Sequence, residues 1–264
     1  MVASFLLVII FGLVYCNGLI MFARKGLMFE ACITVCYPLC CCLIKSPELL
    51  VSRLVVVESL FNLLCLGIKV AQLLHIKPFF NMKYLFLGWG AVQIGGFLVA
   101  SVDKGASFAI VPHGMLTFLG YFILQSETSP HVDSQGRVIL FSNENAWMMP
   151  SLYAFWFLNA HFVDKDDSFP NLGFSLLQCC SVAIASVSGE FWHARLLTAS
   201  HLIISRHFFT EFLHLPEGFA RLQPPNIAIF RQMLTSLSLI GMVGVYLFWR
   251  KTKRQDKESA EWRL

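Results

Sequence analysis

Apolar residues run in blocks of about twenty along most of this chain, and polar residues gather in the short segments between them. Largely apolar stretches at 3–22, 26–44, 54–74, 84–102, 106–125, 146–162, 172–192 and 227–249 each approach the ~20 residues a helix needs to cross ~30 Å of hydrocarbon. The connecting segments KSPELLVSR, HIKPFFNMK, VDKDDSFPN and LPEGFARLQPPN carry the prolines and charges of loops. The first stretch has no charged residues before it, and its apolar core is too long for a cleaved signal peptide. It reads as a first span, ended by Arg24 and Lys25. One loop is long, SETSPHVDSQGRVILFSNEN at 126–145. Its polar ends flank a VILF run, which predicts a short hairpin or an interfacial turn and leaves no room for a soluble domain.

The segment GEFWHARLLTASHLIISRHFFTEFLH, residues 189–214, breaks the pattern with four histidines, two arginines and two glutamates in an otherwise apolar context. If residues 195–214 cross the membrane, the chain makes nine crossings. In that case Arg24, Lys25, Lys77, Lys83, Arg137, Arg195 and the six basic residues of the tail share one side, against Lys45, Arg53, Lys104, Lys165 and Arg221 on the other. The positive-inside rule then puts the tail in the cytoplasm. If the segment lies flat at the interface the crossings fall to eight and the charge asymmetry nearly vanishes. The fold expected is therefore all-α, a polytopic integral membrane helix bundle of about nine transmembrane helices. It forms one domain over 1–249, with a basic tail at 250–264.

Composition agrees with that pattern. The chain has 264 residues, 56% hydrophobic and 14% charged, whereas soluble domains carry roughly 25% charged residues. Mean hydropathy is +0.65. The net charge of +4 concentrates in the tail RKTKRQDKESAEWRL, which is short and mixed in sign, so no nucleic-acid partner is expected. Nine cysteines form no CxxC pair, which speaks against zinc ribbons and thioredoxin-like sites. Cys32, Cys36 and Cys40 recur every four residues, on one helix face, and read as small side chains at a helix contact, with acylation of Cys40–Cys42 the sharper alternative. Trp147, Trp192, Trp249 and Trp262 fall near span ends or in the tail and read as interface anchors. Small residues at Ala91/Gly95, Gly96/Ala100 and in SVAIASVSG (181–189) predict close helix contacts.

On a helix of 100° per residue, Glu190, His193, Ser200, His201, His207, Glu211 and His214 share an arc of about 140°, with Arg195 and Arg206 nearly opposite. An ionisable group at the bilayer centre costs roughly 2.5–3.5 kcal/mol even on insertion scales, so this helix must sit inside the bundle, line a cavity or lie flat. Partners are available on other spans: Glu30, Glu58, Asn62, Lys69 and His113, the last beside Pro112 in AIVPHGML. Two Glu-x-x-His motifs, at Glu190 and Glu211, match the ligands of a di-iron bundle. They begin 21 residues apart, or about 31 Å on one helix, which is too far for a shared centre. Haem ligation lacks enough facing histidines. No metal and no identified cofactor are expected.

The expected function is action on a lipid or lipid-linked substrate through a polar intramembrane site on residues 190–214. His201 or His207 would act as base, with Glu211 and His113 completing the catalytic set. Arg195 and Arg206, with Glu58, would contact the substrate. Whether the chain is an enzyme stays open at this point. The rivals are a carrier or channel for a small solute or protons, with the His/Glu face as a relay, and a non-catalytic subunit docked on a membrane protein partner. The expected location is the endoplasmic reticulum or another endomembrane, with lipid bilayer around the bundle and the C-terminus cytoplasmic.

Overall fold

The computed structural model describes residues 2–45, 53–77, 84–85, 87–89, 91–92, 110–124, 131–134, 137–140, 147–160, 172–205 and 227–261. Among these the chain is almost wholly helical. The helices are α1 Val2–Ala23, α2 Leu27–Ala31, α3 Tyr37–Lys45, α4 Arg53–Leu73, α5 Ile110–Leu124, α6 Met148–Ala160, α7 Leu172–Val187, α8 Phe191–Ser205 and α9 Ile227–Glu261. A π-helical turn, Cys32–Cys36, joins α2 to α3 in one continuous rod. The only strands among the described residues, β1 His131–Val132 and β2 Val138–Ile139, pair antiparallel with His131 opposite Ile139. This is the hairpin expected of the VILF run. Asp133 clamps its turn by accepting from the Arg137 backbone and guanidinium, both at 2.8 Å, and Val138 and Leu140 plug into the core.

Among the described residues, two helices are long and apolar enough to cross a membrane, through the segments Leu6–Ala23 and Gln232–Asp256. Both expose apolar stripes, including Leu6, Leu7, Ile10 and Val14 on the first and Met233, Leu237 and Ile240 on the second. The expected span at 84–102 lies mostly outside the described residues. Helix α9 runs on past residue 249 through the basic tail to Glu261.

Helix α8 occupies the middle of the packing. It contacts α1, α3, α4 and α7, while α9 packs on α5 and α6, and α7 bridges α6 to α1. Every residue of α8 except Ile203 is buried. Close approaches are made where the neighbour is glycine: a Cβ at Gly12 would press on Leu177 and Cys180 of α7, and one at Gly241 would overlap the Phe155 ring of α6. Ala185 of the small-residue run 181–189 is fully buried, as that run predicts.

Two details correct the reading of the sequence. Trp192 and Trp249 are buried rather than anchored at an interface, Trp192 against Gly120, whereas Trp147 is exposed; Trp262 lies outside the described residues. Cys32, Cys36 and Cys40 are exposed free thiols, not a packed contact. Their face points away from the bundle and lines an apolar groove of about 610 Å³ with Val14, Gly18 and Phe22 of α1.

Candidate cleft at the start of the buried helix

The cleft forms where chain ends meet: the close of α1, the opening of α2, the close of α4, the hairpin and the opening of α8. Two glycines at positive φ make the turns that bring these ends together. Gly26, at φ 149°, starts α2, and Gly189, at φ 80°, turns α7 into α8, conformations that a Cβ disfavours. Helix α4 closes in a Schellman arrangement, with His75 left-handed at φ 56° and the Ile76 amide donating to the Ala71 carbonyl.

At the floor of the cleft, four ionisable side chains from three elements form one cluster. Glu30 of α2 accepts from Lys69 Nζ of α4 at 2.9 Å and lies 2.9 Å from His193 Nε2 of α8. His193 Nδ1 is 3.5 Å from Lys69 Nζ and 3.7 Å from the carboxylate of Glu190. All four are at least nine-tenths buried. The cluster explains how Lys69 and Glu30 are tolerated among apolar helices, since each offsets the desolvation of the other. Both His193 ring nitrogens face ionisable side chains: Nε2 the Glu30 carboxylate, and Nδ1 the Lys69 ammonium and, farther off, Glu190.

The cleft encloses about 340 Å³, within the range of small-ligand sites. Its rim is cationic. Arg24 and Lys25 are exposed, and Arg24 donates through Nη2 to the Ser188 carbonyl in the α7–α8 turn. Arg137 completes the rim, paired to Asp133 at 2.7 Å.

Deeper along α8 most polar groups have protein partners, although Arg195 Nε has none among the described residues. Glu58 of α4, fully buried, accepts from Ser200 Oγ at 2.7 Å and from the Trp89 indole at 3.1 Å. His201 has a backbone carbonyl against each ring nitrogen: Leu197 one turn back at 2.7 Å, and Ile33 inside the π turn at 2.9 Å. Past it, the hydroxyls of Tyr15, Tyr37 and Ser205 form a triangle with 2.7 Å sides. On the far face, Arg195 donates to Ser181 Oγ at 2.8 Å and stacks over Tyr153 at 4.9 Å.

The expected site residues therefore separate. Both His201 ring nitrogens face backbone carbonyls, and the residue does not line the cleft. Glu58 and Arg195 are buried away from the cleft, held by Ser200 and Trp89 and by Ser181 respectively. His113 sits on α5, and its side chain lies outside the described residues, as do His207, Glu211 and Arg206 altogether. The sequence reading named Glu30 and Lys69 only as potential partners and counted Arg24, Lys25 and Arg137 only as topology signals. The signal that unites them is local: both Arg24-Lys25-Gly26 and Ser188-Gly189-Glu190 place a glycine turn beside ionisable residues.

Among the described residues no group of three His, Cys, Asp or Glu side chains is arranged to hold a metal ion. No family model, curated protein or solved structure matches this chain.

Proposed function

We propose that the protein is a multi-pass membrane enzyme that takes an anionic lipid or lipid-linked headgroup into the cleft and moves a proton through His193. The observation that carries this reading is the buried Glu30–Lys69–His193–Glu190 cluster under a cationic rim. Exposed Arg24 and Lys25 attract phosphate or carboxylate. Lys69 lies below them at the floor of the cleft, and His193, oriented by Glu30, is within reach of a group entering from the rim. This moves the proposed base from His201 and His207 to His193, while keeping the substrate class expected from the sequence.

Nine crossings suit the packing. The close of α1, α4 and α7 and the opening of α2 and α8 all gather at the cleft. Phe122 near the end of α5 packs on Tyr246 of α9, and Trp147 at the start of α6 on Phe248. That pattern is the alternation of an up-and-down bundle. On this reading the basic end of α9 and the cleft share one side, which we assign to the cytoplasm by the positive-inside rule.

One observation favours the carrier as a second reading. Polar groups continue beyond the cleft through Glu58–Ser200 and His201 to the Tyr15–Tyr37–Ser205 triangle, as a proton path would require. The test is reconstitution of the full chain in vesicles of mixed lipids, with lipid products followed by mass spectrometry for the native chain and His193→Asn. The enzyme reading expects a lipid product that disappears in the variant. Proton flux without any lipid product would replace it with the carrier.

A further inference from the structure

The lipid reading leaves open which headgroup the cleft accepts, and Glu190 narrows it. Its side chain lines the cleft and is only 9% exposed, yet Oε2 has no hydrogen-bond donor, the nearest ionisable group being His193 Nδ1 at 3.7 Å. Glu30, by contrast, is fully engaged by Lys69 and His193. A buried carboxylate oxygen without a donor is unfavourable, and a ligand able to donate would relieve it. Arg24 is fixed to the carbonyl of Ser188, two residues before Glu190, so its guanidinium lies at the same turn. Neither Arg24 nor Lys25 pairs with a carboxylate among the described residues. The turn thus presents, side by side, cations lacking an anion and a carboxylate lacking a donor.

Resting on the proposed lipid reading, we infer that the headgroup is zwitterionic: a phosphate that carries an N–H ammonium group, the phosphate on Arg24 and Lys25 and the ammonium on Glu190. Such a headgroup satisfies both deficits at once. A bare phosphate leaves Oε2 unsatisfied. A quaternary ammonium brings charge but no N–H to donate.

The purified full chain in neutral detergent micelles would be titrated with phosphatidylethanolamine, phosphatidylcholine, phosphatidic acid and water-soluble phosphoethanolamine, with binding read from intrinsic tryptophan fluorescence. The same titrations would be run on Glu190→Gln and Glu190→Asp, with unfolding temperature recorded to confirm that each variant is folded. Phosphatidylethanolamine is expected to bind about tenfold tighter, or more, than the choline and phosphate-only lipids, the size of one charge-assisted hydrogen bond. Glu190→Gln should erase that preference, while Glu190→Asp keeps part of it. Equal binding of all three lipids, with loss on Arg24→Ala, overturns the zwitterion and leaves the anionic-lipid reading standing. A preference that survives Glu190→Gln also overturns it. Free phosphoethanolamine binding as tightly as the lipid supports the headgroup chemistry but overturns its lipid source, and no binding by any probe overturns the underlying lipid reading itself.

Discussion

At its first turn α8 shares two carboxylates, an ammonium and an imidazole across a cleft, and two turns further in it holds Glu58, Ser200 and His201 in a closed set of bonds. Both regions look alike in the sequence, as polar residues in an apolar helix. They differ in how completely their hydrogen bonds are satisfied and in access. Glu58 has Ser200 and Trp89 as donors and no surface exposure, and His201 faces a carbonyl with each ring nitrogen. At the cleft, Glu190 Oε2 lacks a donor, and His193 Nδ1 lies between Lys69 and Glu190 without a short bond to either. A saturated polar cluster fixes helices against one another. An unsaturated one beside a cavity is available for chemistry.

Substitutions should separate the two regions. The largest effect is expected from Glu30→Ala, which strands Lys69 and His193 in a buried setting. Breaking a buried pair in this way costs about 3–5 kcal/mol, visible as a large drop in the unfolding midpoint in detergent. An unchanged midpoint would mean that water already solvates the cluster. Next comes His193→Asn, which should lower lipid turnover about 10²-fold or more, with His201→Asn leaving turnover nearly intact. The reverse ranking would exchange the roles of the two regions. Glu58→Ala deprives the Ser200 hydroxyl and the Trp89 indole of their acceptor and should cost about 1–3 kcal/mol of stability, with ligand affinity unaltered. The smallest change is expected from Ser200→Ala, which removes one of the donors to Glu58; about 1 kcal/mol, measured by the same unfolding assay, would fit.

Much of the architecture was legible because its cause is local. Stretches of apolar residues marked α1 to α4 to within a few residues, whereas the expected span 172–192 runs past the end of α7 at Val187 and α9 continues to Glu261; the VILF run lies in the hairpin. The need of Lys69 and Glu58 for partners on other elements followed from the cost of burying charge. What the periodicity could not supply was the pairing. An arc of about 140° on one helix is wide enough to face several neighbours, and α8 uses it so: His193 meets Glu30 on α2, Ser200 meets Glu58 on α4, and His201 meets Ile33 in the π turn. A π turn joins α2 to α3, and Cys32, Cys36 and Cys40 still share one face, but that face is exposed rather than packed. The rim was missed for another reason. Lys and Arg at span ends have a sufficient explanation in topology, and only the fold shows Arg24 bonded beside Glu190.

The central claim is that the water-accessible site ends at the first turns of α8. It is tested most directly by cysteine accessibility from the tail side, in oriented vesicles and in a background without the native cysteines. Single cysteines at Leu27, Leu73 and Ala194, which line or border the cleft, should react with a membrane-impermeant thiol reagent and be protected by added phosphatidylethanolamine. Cysteines at Ser200 and Ile204 should stay unreactive. Reaction continuing at 200 and 204 would contradict a closed inner region and favour a path through the bundle, and with it the carrier.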